Sequence, residues 1–106
     1  MGMSKNTDVL IVGSGIAGLS AALMLPSDVK ITLITKGDSK SCSTSWAQGG
    51  IASVLSETDS FEKHLNDTIS NGSGIVNKNV ASTIIKEGPY CINWLKSHGV
   101  PFTEKD

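Results

Sequence analysis

Arginine is absent from this sequence. All nine basic residues are lysines, they face ten acidic residues, and the formal net charge is −1. A strongly basic surface for nucleic acid or for an anionic membrane is therefore excluded, and we expect neither as a partner. The absence also matters for small ligands, because arginine is the usual side chain for holding a carboxylate through two parallel hydrogen bonds.

Cysteine and long apolar runs are also scarce. Cys42 and Cys91 lie far apart and match no CxxC or zinc-ligand spacing, so we expect free thiols in a reducing cytoplasm and no metal site. No stretch approaches the ~20 apolar residues of a transmembrane helix. Residues 1–7 contain no apolar run typical of a signal peptide, and we expect them to be a disordered or tag-derived N-terminus.

Residues 8–35 have the pattern of a βαβ unit. Residues 8–12 consist of Asp8 followed by a continuous apolar run, which is typical of a strand buried on both faces. A glycine-rich turn follows, then a helical stretch over residues 16–25 that ends at Pro26. Residues 29–35 are rich in β-branched side chains and predict a second strand. The fold class is therefore α/β, with a Rossmann-like βαβ unit at its start.

The remainder predicts one loop and several helical segments. Residues 36–52 show no helical or strand period and predict an ordered loop. Asp59 followed by Glu62 resembles a capping box and predicts a helix that ends near Gly72. A further helix is expected from residues 77–79, interrupted at Gly88-Pro89, where a second segment would begin and continue to His98-Gly99.

The glycine-rich turn predicts a dinucleotide site. Residues 13–18 fit GxGxxG, a weak pattern alone that gains weight between a strand and a helix. Gly13 would permit the tight turn, Gly15 the approach of a pyrophosphate, and Gly18 close packing of helix and strand. The helix N-terminus would then offer free N–H groups and the positive end of its dipole to the phosphates.

The end of the second predicted strand departs from the nicotinamide-dinucleotide pattern. An acidic residue usually binds the adenosine ribose there. This sequence has Thr35-Lys36 at that position, and the nearest acid, Asp38, follows Gly37. A hydroxyl or an ammonium group would have to replace the usual carboxylate, which disfavours NAD more than it disfavours a pyrophosphate site.

Residues 43–50, STSWAQGG, have the composition of a flavin-binding loop. A flavin ring requires backbone N–H groups at its polar edge and no bulky side chain over its reacting face. Small hydroxyl residues could contact the phosphates and the ribityl chain, while Gln48 and the amides of Gly49-Gly50 could contact the ring edge.

These two segments resemble the succinate dehydrogenase/fumarate reductase flavoprotein family. The resemblance rests on residues 8–22, Lys36 and residues 47–52, and it extends from about residue 8 to residue 106. Within the family, the chain is most similar to the L-aspartate oxidase branch. This narrower resemblance rests on Ser43-Thr44 before Ala47-Gln48-Gly49-Gly50 and on residues 57–60 and 93–100. The resemblance implies that residues 8–106 are the N-terminal part of an FAD-binding domain in a larger flavoenzyme.

The resemblance also implies a set of FAD contacts and a reaction. The expected cofactor-binding residues are Gly13, Ser14, Gly15, Ile16, Ala17, Gly18, Lys36, Ser43, Thr44, Ser45, Trp46, Ala47, Gln48, Gly49 and Gly50. Covalent members have a histidine where this chain has Ser43, so non-covalent FAD is expected. The implied reaction is oxidation of L-aspartate to iminoaspartate with O2 or fumarate as acceptor, in de novo NAD biosynthesis, with a functional link to quinolinate synthase.

The sequence assigns no catalytic residue. A dicarboxylate substrate requires cationic side chains that bind its carboxylates, and this sequence contains no arginine. We therefore expect the substrate site to lie beyond Asp106 and the isolated chain to be inactive. His64 and His98 are better explained as helix residues than as acid–base groups. Two alternatives stay open: a flavoprotein subunit of a fumarate reductase or succinate dehydrogenase relative, and a dinucleotide-binding structural module without catalysis.

Overall fold

The structure, a computed structural model, describes residues 6–38, 41–47 and 50–103. The chain divides into two compact units, Met1–Gly49 and Gly50–Asp106. The first contains a parallel strand pair with two helices, and the second contains two longer helices. Each unit is described by itself below. The predicted α/β class with a Rossmann-like unit is confirmed.

Two parallel strands form the sheet of the first unit. Strand β1 is Val9–Val12 and strand β2 is Ile31–Ile34, paired in register from Val9 opposite Ile31 to Val12 opposite Ile34. The pairing is extended at one end by a bond from the Gly13 N–H to the Ile34 carbonyl, at 2.8 Å. At the other end the Thr7 hydroxyl donates to the Lys30 carbonyl at 2.9 Å. Both predicted strands are confirmed, with shorter bounds, but the expectation that β1 is buried on both faces is wrong, since Leu10 and Val12 are exposed.

Helix α1 is Ile16–Met24 and connects the two strands. It ends at Leu25, directly before Pro26, as the proline predicts. A one-turn helix, α2, follows at Ser43–Trp46. The sequence predicts an ordered loop without helix over residues 36–52, and this prediction is wrong at residues 43–46. A single turn is too short to show a 3.6-residue period, and here it is closed locally by the Ser45 N–H donating to the Cys42 carbonyl at 3.0 Å.

Helix α3 is Phe61–Asn71. Its N-cap is Ser60, whose hydroxyl accepts from the Lys63 N–H at 3.2 Å. The prediction of Asp59 as the cap is wrong by one residue: the Asp59 carboxylate accepts from the Ser60 N–H instead, at 2.7 Å. The helix ends at Gly72, as predicted.

Helix α4 is Lys78–Ser97, capped by the Asn77 side chain, and it runs unbroken through Pro89. The predicted interruption at Gly88-Pro89 is therefore wrong. The helix ends at His98-Gly99, as predicted, and Gly99 has a φ of +85°. The N–H groups of Gly99 and Val100 donate to the Lys96 and Leu95 carbonyls at 3.0 and 3.1 Å, which is a Schellman ending.

The hydrophobic core lies in the second unit, where α3 and α4 pack together. Among the described residues the buried hydrophobic side chains are Ile85, Ile92 and Leu95, all on one face of α4. The buried polar residue is Ser14, in the first unit. In the ranges that the structure covers, no helix combines the length and apolar character needed to cross a membrane.

Candidate cofactor site

The turn between β1 and α1 depends on glycine at two positions. Gly13 has a φ of +116°, a backbone conformation that side chains with a Cβ rarely adopt. A Cβ on Gly18 would collide with the Gly13 carbonyl oxygen and would stand 3.1 Å from Ile11 Cγ2. Gly18 therefore allows α1 to lie directly against the turn and β1, as predicted for the third glycine of the motif.

Ser14 connects this turn to the end of β2. Its side chain is 5% exposed, and its hydroxyl donates to Thr35 Oγ1 at 3.2 Å. Thr35 follows directly after β2, where many dinucleotide sites have an acidic residue. The hydroxyl pair joins the two strand ends without introducing a charge.

Thr44 of α2 connects the segment that begins at Ser43 to the start of α1. Its Oγ1 accepts the Ile16 N–H at 3.1 Å, and it would stand 3.3 Å from a Cβ placed on Gly15. Gly15 is the N-cap of α1 and has no side chain, so apart from the Ile16 N–H bonded to Thr44, the N–H groups of the first turn are not capped by it. Because Oγ1 accepts from Ile16, the Thr44 hydroxyl keeps its own proton to donate elsewhere.

These groups surround an open cleft of about 530 Å³ at the carboxyl ends of both strands. In parallel α/β sheets this is the edge where ligands bind. Its wall combines backbone, hydroxyl and small apolar groups. The lining residues are Val12, Gly13, Ser14, Gly15, Ile34, Thr35, Lys36, Ser41, Cys42, Ser43 and Thr44.

Six of the fifteen residues predicted to bind the cofactor line this cleft: Gly13, Ser14, Gly15, Lys36, Ser43 and Thr44. Ile16, Ala17 and Gly18 follow in α1, and Ser45, Trp46 and Ala47 follow in or directly after α2, beyond the lining. The Trp46 side chain is 78% exposed. Gln48 and Gly49 lie outside the described residues, and Gly50 begins the second unit.

The sequence-based set omitted five lining residues. Val12, Ile34 and Thr35 stand at the ends of the two predicted parallel strands, and those strand ends were a usable signal. Ser41 and Cys42 enter the cleft because the chain turns into α2 at Ser43, which the sequence did not reveal.

The Cys42 thiol has an altered acidity. Its Sγ lies 3.3 Å from the Ser45 hydroxyl, and this hydrogen bond is the main cause that holds the pKa of Cys42 below its ordinary value. A hydrogen bond with the backbone of Ser45 acts in the same direction, burial acts in the opposite direction, and a hydrogen bond with the backbone of Thr44 adds a lowering effect smaller than that of burial. The thiolate is therefore easier to form than in a free cysteine.

Both histidines belong to the helices of the second unit. His98 caps the C-terminus of α4, where its ring centre lies 4.1 Å from that of Trp94 and its Nδ1 lies 2.9 Å from the Trp94 carbonyl. His64 is a half-buried residue of α3 whose carbonyl accepts the Thr68 hydroxyl at 2.8 Å. Among the described residues, no three histidine, cysteine, aspartate or glutamate side chains are grouped as metal ligands.

Residues 8–106 match the family model described as an FAD binding domain. The chain belongs to this FAD-binding family. The match covers the whole βαβ unit, the cleft and the helices that follow, so the cofactor predicted from the sequence is confirmed as FAD.

Individual relatives of this FAD-binding chain are named L-aspartate oxidases. The chain is 43% identical to one from Pseudomonas aeruginosa over 99 residues, which is 93% of this chain and 18% of the relative. It is 45% identical to one from Yersinia pestis over 96 residues, 91% of this chain and 18% of the relative. It is 39% identical to one from Streptomyces coelicolor over 104 residues, 97% of this chain and 18% of the relative. The chain thus spans less than a fifth of these relatives, and the resemblance stated from the sequence is confirmed.

The cleft of this FAD-binding chain fits a pyrophosphate. A Cβ on Gly15 would reach toward Thr44 across the start of α1, where glycine leaves room. The Ile16 N–H is bonded to Thr44, so the backbone donors that the first turn of α1 could offer a phosphate are those of Ala17 and Gly18, and the Thr44 hydroxyl supplies a side-chain donor. Among the described residues, the lining includes Lys36 and no carboxylate, so the charge of these side chains suits a phosphate ligand.

Proposed function

We propose that this chain is the N-terminal FAD-binding portion of an enzyme that oxidises L-aspartate to iminoaspartate, with O2 or fumarate as electron acceptor, in de novo NAD biosynthesis. The observation that carries the proposal is its 39–45% identity to L-aspartate oxidases over more than nine-tenths of its length. In this proposal residues 8–106 are the first part of the FAD-binding domain.

The two sides of the cleft would bind different parts of FAD. The turn at residues 13–18 would hold the pyrophosphate through α1 N–H groups, and Lys36 would lie toward the adenosine end. Thr44 accepts from Ile16 and so can donate to a phosphate oxygen. Residues 43–50 would continue along the ribityl chain and the ring, which completes the fifteen proposed contacts.

FAD would be bound without a covalent link. Covalent relatives attach the flavin through a histidine directly before the threonine that corresponds to Thr44, and this chain has Ser43 there. A serine hydroxyl can hydrogen-bond to the cofactor, but it is a far weaker nucleophile than an imidazole at neutral pH. Denaturation should therefore release the flavin from the protein.

Bound FAD would accept the two electrons lost when the Cα–N single bond of L-aspartate becomes a C=N bond, with one hydrogen leaving Cα and one proton leaving the amine. The residues of this chain bind and orient the cofactor. Since the sequence contains no arginine, the two substrate carboxylates would be held by the part of the polypeptide that corresponds to the remaining length of the relatives.

The reactivity of the product indicates which enzyme would use it, and the free thiols indicate the cell compartment. An imine hydrolyses readily in water, which favours prompt consumption by a second enzyme, and quinolinate synthase is the proposed one. Cys42 and Cys91 are free thiols, which supports a reducing compartment and hence the cytoplasm.

The test uses the full-length protein that contains this chain. We expect yellow protein whose flavin is released by acid, and production of H2O2 with L-aspartate but not with D-aspartate. Fumarate should replace O2 as acceptor under anaerobic conditions. Turnover of succinate with no turnover of L-aspartate would favour a succinate dehydrogenase relative, and protein without flavin would favour a binding module; either result contradicts the proposal.

A further inference from the structure

The adenosine end of the cleft has an unusual charge for a dinucleotide site. Thr35 and Lys36 line it directly after β2, and no carboxylate belongs to the described lining. Asp38, the nearest acid in the sequence, is not part of the lining. Many dinucleotide sites have an acidic residue at this position, which binds the free ribose hydroxyls and repels a phosphate attached to them.

The hydroxyl at this position is held in a defined arrangement. Ser14, which is 5% exposed, donates to Thr35 Oγ1 at 3.2 Å. Thr35 therefore accepts from Ser14 and retains its own proton for a ligand. Both Thr35 and Lys36 are exposed, so this end of the cleft is open to an additional group on the ribose.

We propose that Thr35 and Lys36 form a subsite for a phosphate on the adenosine ribose, so that the cleft binds 2′-phosphorylated adenine nucleotides in preference to their unphosphorylated counterparts. The Lys36 ammonium would neutralise the additional phosphate, as a cationic residue does at this position in NADP sites, while Thr35 would donate a hydrogen bond. The inference rests on the proposed function in one respect: the adenosine must lie at the β2 end of the cleft.

The test is displacement of FAD from the full-length protein by two small probes, AMP and adenosine 2′,5′-bisphosphate. Release of FAD is followed by its fluorescence at low ionic strength, where an exposed charge pair is least screened. We expect the bisphosphate to displace FAD at about two- to fivefold lower concentration than AMP, the range of an exposed ion pair. Equal potency, or greater potency of AMP, would overturn the proposal.

Three variants assign the effect to Lys36. Lys36→Gln should remove the preference for the bisphosphate, and Lys36→Glu should reverse it. Lys30→Gln is the matched control, because Lys30 is an exposed lysine of the same unit outside the lining and should keep the preference. A preference that persists in Lys36→Gln, or that is lost in Lys30→Gln, would contradict the assignment.

The two proposals fail in different ways. If the protein binds no FAD, the proposed function itself is wrong. If it binds FAD and AMP displaces FAD as well as the bisphosphate does, the proposed function stands and the phosphate subsite is wrong.

Discussion

Individual atoms determine how closely α1 approaches the turn after β1. Gly13 provides the backbone conformation, and Gly18 provides the space into which the Gly13 carbonyl fits. Ser14 then joins this turn to Thr35, directly after β2, at 3.2 Å, and Thr44 joins α2 to Ile16 at the start of α1, at 3.1 Å. The described lining of the cleft thus consists largely of small and hydroxyl-bearing residues, and Lys36 is its charged side chain.

Gly18→Ala is expected to weaken FAD binding. Alanine in a helix is favoured over glycine by roughly 0.5–1 kcal/mol, but its Cβ would overlap a backbone oxygen that cannot rotate away. Overpacking of this kind costs about 1–3 kcal/mol. We therefore expect a net loss of stability in chemical denaturation and a higher Kd for FAD in titration.

Gly37→Ala is the matched control for Gly18→Ala. The nearest atom to its Cβ would be Ser41 Cβ at 3.9 Å, an ordinary contact, so stability and FAD affinity should change little. An unchanged Kd for FAD in Gly18→Ala would show that the close approach of α1 is not needed for the site.

Cys42 should report occupancy of the cleft by its reactivity. Because the pKa of its thiol is held below the ordinary value, its rate of alkylation should rise at lower pH than that of a free thiol. Since Cys42 lines the cleft, bound FAD should slow this reaction. Iodoacetamide labelling of the full-length protein with and without FAD, read by peptide mass spectrometry, measures both effects.

Cys91 is the internal control for the same experiment. It is a free, exposed thiol on α4 in the second unit, and its labelling rate should not depend on FAD. Equal protection of Cys42 and Cys91 would indicate general stabilisation, and unchanged labelling of Cys42 would place the cofactor elsewhere.

At the level of elements, the parts with a strong local pattern were predictable. Both strands and α1 follow from two apolar runs around a glycine turn, and the ends of α3 and α4 follow from Gly72 and Gly99. α2 was missed because one turn carries no periodicity. The cap of α3 was placed one residue early because Asp59 and Ser60 are equally good capping residues by type.

The continuity of α4 depends on packing that local sequence does not encode. Proline inside a helix removes one hydrogen bond and crowds the carbonyl four residues earlier, which is why an interruption was predicted at Pro89. The helix carries Ile85 and Ile92 on either side of Pro89, and both are buried. Burial of these two side chains favours one continuous helix over two shorter ones.

The residues of the candidate site that belong to local motifs were predictable, and the contacts between distant segments were not. Gly13, Gly15 and Thr44 were identified from two local motifs. The bond between Thr44 and Ile16 was not, because it joins residues 28 positions apart and depends on how α2 meets α1. Cys42 was missed for the same reason.

At the level of the whole chain, each unit leaves apolar surface exposed. In the first unit Leu10 is 55% and Val12 76% exposed on β1, and each strand of the pair has a free edge within the described sheet. In the second unit Ile84 is 65% exposed on α4. Surfaces of this kind in proteins usually contact other protein, and the relatives are more than five times as long as the aligned region.

We therefore predict that the 106-residue chain alone does not oxidise L-aspartate and binds FAD more weakly than the full-length protein. It has no arginine to hold the substrate carboxylates, and its first unit has no buried hydrophobic residue among those described to keep the cleft in place. H2O2 production with saturating FAD and L-aspartate tests the first part, and equilibrium dialysis of FAD tests the second, with the full-length protein as the positive control in both. Turnover by the isolated chain would mean that the residues that bind and orient the substrate lie within these 106 residues, and the assignment of substrate binding to the remaining polypeptide would be wrong.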